Sequence, residues 1–452
     1  MDSFDFVVIG GGAAGEAAAF LALRHGASVA VVERDLLGGS CPFWACLPSK
    51  TLLHAAGIHA VGGDYPWSRA AARRDWMINR KGVPYPSDAG HVQRLTDAGG
   101  EIVRGEARIA GPGAVRVDLA AGGERRLRAR FIVVAVGTRG AVPDLPGLDA
   151  VAAWSNREAT GARELPRSLL VVGSGPSGVE LAQVYARYGV PTTIVARRRL
   201  NAKDHPRNSE ALAAGLARDG VDVRLGVEPV RVEAGSGPDG AHLVQLSDGS
   251  DAAGHEILLA VGRVAPLESL GLETVGVALR DGRVRPDERL RIAEGVFVAG
   301  DPAGPEMHTH LAHYQGELAA RVALGDEVRP DYRAIPRATY TEPETAGVGL
   351  TPDEARRAGL DAIEVTADLA TSAKGYVADA TGHATIVVDR ATRALAGAFV
   401  AGPGASEAIH LAVLAVKLGT PLEVLADTIT AFPTTTRVLA GTFPEALAAL
   451  DT

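Results

Sequence analysis

The segment FDFVVIGGGAAGEAAAFLALRHGASVAVVER, residues Phe4–Arg34, contains the pattern that decides the fold. A short apolar run enters a glycine turn, an alanine-rich stretch follows, and a second apolar run ends at Glu33. Gly10, Gly12 and Gly15 have GxGxxG spacing, which allows a tight turn, approach of a pyrophosphate to the backbone, and close packing of helix on strand. The segment therefore predicts a βαβ unit that binds a dinucleotide, with the phosphates at the helix N-terminus and Glu33 at a ribose hydroxyl. The alternative is a structural glycine turn.

The same pattern recurs in SLLVVGSGPSGVELAQVYARYGVPTTIVARRRL, residues 168–200, where the turn glycines are Gly173, Gly175 and Gly178. At the end of the following strand, Ala196 occupies the acidic position. A basic patch comes directly after it, made of Arg197, Arg198, Arg199 and Lys203. Because guanidinium groups bind phosphate and no carboxylate repels a 2′-phosphate, this site is expected to prefer NADPH to NADH. The alternative is a solvated basic loop.

A late apolar strand in EGVFVAGDPAG, residues 294–304, ends at Gly300 and Asp301. Two dinucleotide units in one chain are typical of one flavin and one nicotinamide cofactor, and this strand would complete the flavin unit, with Asp301 on the ribityl chain. The sequence therefore predicts an α/β protein with two Rossmann-like domains, one inserted in the other. We expect residues 1–150 and 265–328 to bind FAD and residues 151–264 to bind NADPH.

The two cysteines of the chain, Cys41 and Cys46, lie in GGSCPFWACLPSK, residues 38–50. In a reducing compartment a close pair is more often catalytic or metal-binding than a structural disulfide. Two thiols without further ligands make a poor zinc site, so redox chemistry is favoured and no metal ligands are assigned.

The composition of the 452-residue chain is typical of a globular protein, with 46% hydrophobic residues, 22% charged residues and a net charge of −8. No basic patch of the kind that binds nucleic acid or a membrane surface is present in the sequence. No leader sequence and no run of 18 apolar residues is evident, so a cytoplasmic protein is expected.

These motifs together resemble the class I pyridine nucleotide-disulfide oxidoreductases, which include glutathione reductase, dihydrolipoamide dehydrogenase and mercuric reductase. The resemblance covers nearly the whole chain: two nucleotide motifs, Cys-x4-Cys followed by LPSK, the AGD strand, and the C-terminal segments at 339–355 and 401–419. It implies that residues 329–452 form an α+β dimerisation domain, that the protein is a homodimer, and that FAD and NADPH are its cofactors.

The resemblance also implies roles for single residues. Cys46 would face the flavin and Cys41 would meet the substrate, with both sulfurs in the first turn of one helix, where the dipole lowers a thiol pKa. Lys50 would lie near flavin N5, and Glu180 would be its ion-pair partner near the nicotinamide. The alternatives are a solvated helix lysine and an ordinary exposed carboxylate. The remaining candidate cofactor contacts are Arg34, Gly39, Ser40, Gly137, Thr138, Gly262 and His310.

The C-terminal segment AFPTTTR departs from the family pattern His-Pro-Thr-x-x-Glu. Phe432 stands at the position of the histidine that acts as acid/base, and Arg437 stands at that of the glutamate that orients it. Mercuric reductases also have phenylalanine here, but they usually carry a C-terminal cysteine pair that this chain lacks.

Two clusters elsewhere raise open questions. A replacement base is possible in the cluster His308, His310 and His313; the alternative is a set of polar residues at a helix start. Phe43 and Trp44 either shape the substrate pocket or pack against the flavin domain.

The leading hypothesis is an NADPH-dependent FAD enzyme that passes electrons through the Cys41–Cys46 disulfide to a small-molecule acceptor: a disulfide, a metal or another oxidant. One alternative is a quinone or diaphorase-type reductase that acts directly from the flavin. Another is a mercuric reductase-like enzyme, and a third is a flavin-bearing redox sensor with slow turnover.

Overall fold

The computed structural model describes residues 2–80 and 86–451, and it has the predicted α/β character. The helices in chain order are α1 Ala13–Arg24, α2 Ser40–Trp44, α3 Cys46–Ala60, α4 Trp67–Asn79, α5 Ala89–Asp97, α6 Asn156–Gly161, α7 Pro176–Arg187, α8 Pro206–Arg218, α9 Thr309–Leu324, α10 Pro352–Arg357, α11 Ala373–Ala378, α12 Ala405–Ala408, α13 His410–Leu418, α14 Leu422–Ala426 and α15 Thr435–Leu450. No helix within the described ranges is both long and apolar enough to cross a membrane.

The strands are mostly short, as expected where glycine turns are frequent. In chain order they are β1 Asp2–Ile9, β2 Val29–Glu33, β3 Glu101–Gly111, β4 Ala114–Leu119, β5 Glu124–Val134, β6 Arg139–Gly140, β7 Leu169–Val172, β8 Thr192–Ala196, β9 Asp222–Leu225, β10 Pro229–Glu233, β11 His242–Leu246, β12 Asp251–Gly254, β13 Glu256–Leu259, β14 Arg263–Val264, β15 Arg291–Ala293, β16 Val296–Val298, β17 Arg337–Thr339, β18 Thr345–Gly349, β19 Ala362–Asp368, β20 His383–Asp389 and β21 Ala394–Ala401.

One compact unit comprises Met1–Thr51, Ala71–Ala141 and Gly262–Asp331. Its sheet has β1 at the centre, parallel to β2 on one side and to β5 on the other, and β16 runs parallel to β5. Strands β3, β4 and β5 also form an antiparallel meander. The parts of these strands that pair in parallel at the centre of the sheet, residues 6–9, 29–32 and 131–134, are apolar runs, because a parallel strand is buried on both faces. The late strand β16 therefore joins this sheet, as its sequence predicts.

Helices α1 and α9 pack together beside this sheet. The buried face of α1 is almost entirely alanine, which lets a second helix approach closely. Gly316 of α9 meets the backbone of α1, since a Cβ atom built on it would lie 2.1 Å from the carbonyl oxygen of Ala14. This contact brings the start of α9 to a defined place in the unit.

The second compact unit comprises Leu52–Ala70, Val142–Val261 and Tyr332–Thr452. It contains a parallel sheet in the order β13-β7-β8-β9, a three-stranded antiparallel sheet β10-β11-β12, and a five-stranded antiparallel sheet β17-β18-β21-β20-β19. Helices α13 and α15 cover the five-stranded sheet, with Leu439 and Phe443 fully buried in its core. The predicted boundaries of the three domains stay a prediction.

A buried polar cluster, which the sequence did not predict, joins α8 to the five-stranded sheet within the second unit. Asn208 donates to the carbonyl oxygen of Ala346 and to the carboxylate of Asp204, and its amide oxygen lies 2.9 Å from Nε2 of His383. Burial lowers the pKa of His383 to about 3, and the charges of His205 and Arg207 act in the same direction.

Candidate active site

The first glycine turn has the geometry that its spacing predicts. Gly10 has φ +99°, and a Cβ atom on it would lie 2.5 Å from the carbonyl oxygen of Ala135. A Cβ atom on Gly15 would lie 1.9 Å from the carbonyl oxygen of Gly10, so neither position accepts a side chain. Gly12 is the N-cap of α1, and a Cβ atom there would have its nearest neighbour 3.8 Å away, at Gly39. The turn is therefore tight on its inner side and open where a pyrophosphate would approach, which fits a dinucleotide.

Glu33 ends β2 beside this turn. Its carboxylate accepts hydrogen bonds from the backbone N–H of Gly11, at 2.7 Å, and from that of Asp35, at 2.8 Å. The following residue, Arg34, is exposed and pairs with Glu106 at 3.4 Å. The predicted contacts of Glu33 and Arg34 with a cofactor stay predictions.

The loop between β2 and the cysteine segment is held by a residue that the sequence analysis missed. Asp88, from the start of α5, accepts a hydrogen bond from the backbone N–H of Leu37 at 2.7 Å and one from Arg104. Gly39 follows with φ +70°, where a Cβ atom would lie 2.7 Å from the Cα atom of Gly12. Ser40 begins α2 directly after it. No local sequence signal marks Asp88, because its partners are distant in sequence.

At the end of β16 the structure brings together two predicted residues, Thr138 and Asp301, and Arg263, which follows the predicted Gly262. The hydroxyl of Thr138, which follows Gly137, donates to the carboxylate of Asp301, and the guanidinium of Arg263, which follows Gly262, lies 3.4 Å from the same oxygen. Gln315 of α9 is fully buried and accepts a hydrogen bond from the backbone N–H of Gly300 at 2.9 Å. A buried glutamine in an otherwise apolar helix face was the missed signal here.

The cysteines do not lie in the first turn of one helix, and this prediction is wrong. Cys41 is the second residue of α2 and Cys46 is the first residue of α3, with a break at Ala45, which has φ −128° and ψ −98°. The physical reason is Pro48, because its ring would clash with the carbonyl of Trp44 in a continuous helix. Each cysteine therefore lies at the start of its own helix.

Both cysteines are half-buried thiols in contact with Thr309, the first residue of α9. The Thr309 hydroxyl lies 3.2 Å from the Cys46 sulfur and also bonds to Cys41. The pKa of Cys41 is raised, first by its hydrogen bond to Cys46, then by burial and by repulsion from Cys46, while the Thr309 hydroxyl lowers it. The two sulfurs and this hydroxyl thus form one coupled group.

Phe43, which lies between Cys41 and Cys46 in the sequence, packs into the core. It is 1% exposed, and its ring centroid lies 5.7 Å from that of His91. His91 is held in turn by the carboxylate of Glu16, at 2.8 Å. This supports the packing alternative for Phe43, whereas Trp44 is half-buried.

The histidine cluster divides into two parts. His308 Nε2 donates to the carboxylate of Glu306 at 2.7 Å, and about a quarter of each side chain is exposed. The ring of His310 stacks on that of His308, with centroids 5.0 Å apart and planes at 10°. His313 lies on an exposed face of α9, 3.8 Å from Glu317. The Glu306 partner was missed in the sequence, although it lies only two residues away.

Lys50 and Glu180 lie in the two different units. The amine of Lys50, which is half-buried, lies 3.4 Å from the hydroxyl of Ser49. Glu180 is only 2% exposed and accepts a hydrogen bond from the backbone N–H of Tyr340 at 3.1 Å, so it is not an ordinary exposed carboxylate. The predicted pairing of Lys50 with Glu180 stays a prediction.

The second glycine turn repeats the geometry of the first. Gly173 has φ +115°, and a Cβ atom on it would lie 2.3 Å from the carbonyl oxygen of Ala260. Gly178 is also tight, with neighbours 3.1 Å from its built Cβ atom. Gly175 is the N-cap of α7, and no described atom lies within 4 Å of a Cβ atom built on it. The turn fits a second dinucleotide.

The four residues of the basic patch after β8 are all exposed, and one of them also holds the loop. Arg199 donates to the hydroxyl of Ser209 at 3.1 Å and to the carbonyl oxygen of Asp204, so it holds the loop. Arg197 is exposed and lies 3.7 Å from Glu228, while Arg198 is exposed. Arg197 and Arg198 are therefore exposed at the strand end, and Arg199 is exposed beside them while it bonds to the loop.

The C-terminal segment presents Phe432 to solvent, with 74% of its surface exposed. Thr434 is the N-cap of α15 and accepts a hydrogen bond from the backbone N–H of Arg437 at 3.0 Å. Other exposed apolar side chains on α13, α14 and the loop before α15 are Leu414, Leu418, Val424 and Ile429. Within residues 2–80 and 86–451, no group of three or more His, Cys, Asp or Glu side chains is arranged to hold a metal ion.

Comparison with known proteins identifies the family. Residues 4–316 match the pyridine nucleotide-disulphide oxidoreductase family, and residues 335–441 match the dimerisation domain of that family. A mercuric reductase from Staphylococcus aureus is 30% identical over 436 residues, which cover 94% of this chain and 79% of the relative. A dihydrolipoyl dehydrogenase from Chlorobaculum tepidum is 32% identical over 450 residues, which cover 95% of this chain and 94% of the relative.

Solved structures of similar proteins share the whole fold. The Cu(II) complex of the HOCl-induced flavoprotein disulfide reductase RclA from Escherichia coli has a TM-score of 0.88 and 26% identity, covering 98% of this chain and 100% of that one. LpdA from Mycobacterium tuberculosis has a TM-score of 0.87 and 26% identity, covering 99% and 100%. The chain therefore belongs to the pyridine nucleotide-disulphide oxidoreductase family: it is a flavoprotein disulfide reductase that uses FAD and NAD(P)H and carries the family's dimerisation domain.

Proposed function

We propose that the protein is an NADPH-dependent reductase whose Cys41–Cys46 pair passes two electrons to a small disulfide. The observation that carries this proposal is the contact of both sulfurs with each other and with the Thr309 hydroxyl. A thiol that shares hydrogen bonds with a second thiol is placed to form a disulfide after it attacks a substrate. A bystander pair would need no such arrangement.

Several residues of the first unit would hold FAD. They are the glycines at 10, 12 and 15, Glu33 at the ribose, and Asp301 with Thr138 at the ribityl chain. When bound, FAD supplies two-electron transfer between a nicotinamide and a dithiol. The role of the chain is to orient the cofactor and to keep the Cys46 sulfur beside it.

The preference for NADPH is supported by the end of β8. Ala196 leaves no carboxylate there, and Arg197 and Arg198 present exposed guanidinium groups. Such groups bind a 2′-phosphate in a forked geometry. NADPH would then lie with its pyrophosphate at the Gly175 turn.

The protein is further proposed to be a cytoplasmic homodimer with the three-domain division predicted from its sequence. The dimerisation-domain match supports the dimer, and Leu414, Leu418, Ile429 and Phe432 of that domain are large apolar side chains left exposed in the single chain. In a dimer, Phe432 would be covered rather than left in water.

A soft metal ion is a second candidate acceptor, favoured by Phe432 and Arg437 at the positions of the family's acid/base pair. A metal ion held by two thiolates needs no proton for a leaving thiol. Among the similar proteins are mercuric reductases and a reductase crystallised as a Cu(II) complex.

Anaerobic turnover with NADPH separates these acceptors. We expect the wild-type protein to reduce bis(2-hydroxyethyl) disulfide, and Cys41→Ser and Cys46→Ser to lose that activity while both retain bound FAD. Parallel assays use a quinone, Hg(II) and Cu(II). Full turnover of both serine variants with the disulfide would exclude the dithiol mechanism, and efficient reduction of Hg(II) or Cu(II) alone would select the metal candidate.

A further inference from the structure

We propose that Glu306 and His308 form the acid/base pair for thiol–disulfide exchange at Cys41, supplied by the same subunit as the cysteines. This inference rests on the proposed function, because it names the group that moves the proton in that reaction. It accounts for the loss of the family pair at Phe432 and Arg437.

His308 and Glu306 form a close, largely buried pair. Nε2 of His308 donates to Oε2 of Glu306 at 2.7 Å, and both side chains are about three-quarters buried. A histidine that donates through Nε2 carries its basic lone pair on Nδ1. The carboxylate also stabilises the imidazolium that forms when Nδ1 takes a proton. The stacked ring of His310 further restricts the imidazole to one orientation.

This pair directly precedes α9 in the chain. His308 directly precedes Thr309, whose hydroxyl bonds to both sulfurs. Consecutive Cα atoms are about 3.8 Å apart, so the imidazole extends from a backbone position next to the group that contacts Cys41. Hydrogen bonds to a catalytic base tighten when substrate binds. A substrate disulfide bound between the Cys41 sulfur and the His308 imidazole would complete the path for proton transfer.

Two other imidazoles of the same unit, those of His91 and His313, are engaged differently. His91 is bonded to Glu16 at 2.8 Å and packs against Phe43 in the core. His313 lies on the exposed side of α9 with Glu317. His308 combines a carboxylate partner with adjacency to the sulfur-binding hydroxyl.

The chemistry balances without a further reagent. The Cys41 thiol gives its proton to Nδ1 of His308, and its sulfur attacks the substrate disulfide. The Cys41–S bond forms as the substrate S–S bond breaks, and the leaving thiolate takes the proton from His308. Cys46 then attacks the Cys41 sulfur, and its proton reaches the second leaving thiolate by the same route. The enzyme dithiol is oxidised to a disulfide and the substrate is reduced to two thiols, while the NAD(P)H-dependent activity restores the dithiol.

The test compares two disulfides that differ in how much they need an acid. The holoenzyme is reduced anaerobically with NADPH and mixed in a stopped-flow instrument with bis(2-hydroxyethyl) disulfide or with 5,5′-dithiobis(2-nitrobenzoate). The alkyl thiolate is a poor leaving group and needs a proton, whereas the aromatic thiolate leaves readily without one. We expect His308→Asn to slow the alkyl reaction by about 10²–10³, because it removes both the base for Cys41 and the acid for the leaving thiolate. The aromatic reaction still needs the base but not the acid, so we expect it to slow by only about tenfold.

Matched variants sharpen the result. Glu306→Gln should also slow the alkyl reaction more than the aromatic one, but by a smaller factor, because it removes a positioning residue. In His308→Asn, one ionisation should disappear from the pH–rate profile. His313→Asn should match the wild type with both disulfides. Reduction of the enzyme by NADPH should be the same in all of these proteins.

Three results would overturn the assignment. His308→Asn could react with both disulfides at wild-type rates, or slow both to the same extent, or slow the reduction of the enzyme by NADPH, which would indicate a structural role. If the reduced wild-type enzyme reacts with neither disulfide, the proposed function itself fails, and that outcome is seen before any variant is examined.

Discussion

The hydroxyl of Thr309 lies 3.2 Å from the sulfur of Cys46, although 263 positions separate the two residues in the chain. The same hydroxyl bonds to Cys41 and lowers the pKa of that thiol. One side chain from the start of α9 therefore acts on both members of the redox pair.

Replacement of Thr309 by valine should make the thiols of the reduced enzyme less reactive. A hydrogen bond to a charged group contributes about 1.5–3 kcal/mol, so its loss disfavours the thiolate and raises the pKa of Cys41 further. Alkylation by iodoacetamide at pH 8 should be about tenfold slower. Thr309→Ser keeps the hydroxyl and is the control. Equal rates in the valine variant and the wild type would mean that the hydroxyl does not stabilise the thiolate.

The arginines after β8 should set the nucleotide preference. The double variant Arg197→Glu and Arg198→Glu places carboxylates where a 2′-phosphate would lie, so the ratio of kcat/KM for NADPH over NADH should fall by about 10²-fold. Lys203→Ala should change that ratio by less than about threefold, since it removes one exposed charge. An unchanged ratio in the double variant would show that the 2′-phosphate is recognised elsewhere.

Protonation of His383 should lower the free energy of unfolding in acid. Its pKa in the folded protein is lowered to about 3, below its unfolded value near 6.5, so the unfolded state binds the proton first. The contribution of neutral His383 to the free energy of unfolding is fully present above pH 6.5. It is lost as the pH falls towards 3, at up to about 1.4 kcal/mol per pH unit. Urea unfolding of the holoenzyme at pH 7 and pH 5 measures this slope.

The control for that slope is His383→Asn, which cannot titrate. The variant should have a lower free energy of unfolding at pH 7, because the bonds of His383 to Asn208 and Thr385 are altered. Its pH dependence between 7 and 5 should be shallower than that of the wild type. The contributions of the neighbouring Asp204 and His205 remain in both proteins. Parallel slopes in the two proteins would contradict the prediction.

Gly316 should be needed for the packing of α1 on α9. A valine there would place its Cβ atom about where the Ala14 backbone lies, since the built distance is 2.1 Å. We expect a loss of about 1–3 kcal/mol in the free energy of unfolding, together with weaker retention of FAD, because α1 begins at the Gly12 turn. Thermal unfolding and the FAD content of the purified protein test this.

A second glycine serves as the control for Gly316. Gly441 lies inside α15, and no described atom is within 4 Å of a Cβ atom built on it. Gly441→Ala should therefore be neutral or stabilising by about 0.4–1 kcal/mol. Equal effects of the two substitutions would mean that helix propensity, rather than the contact with Ala14, decides the outcome at Gly316.

The sequence predicts the two dinucleotide folds well because their signals are local. Gly10 and Gly15 must lack side chains within a single strand–turn–helix unit, and the same holds for Gly173. The break between α2 and α3 is equally local, since Pro48 marks it, although the Cys-x4-Cys spacing taken alone indicates one helix. Such features depend on residues only a few positions apart.

The sequence by itself determined the family, the cofactor classes and the redox pair, because glycine spacing and the two cysteines carry that information locally. Tertiary structure alone decided that Thr309 meets both sulfurs, that Asn208 bonds to His383, and that Glu180 is buried. These contacts form when α9, α8 and the C-terminal segments pack, and they join residues distant along the chain. The pairing of His308 with Glu306 spans only two residues, whereas the place of the start of α9, which follows this pair, depends on the packing of α1 against α9 at Gly316.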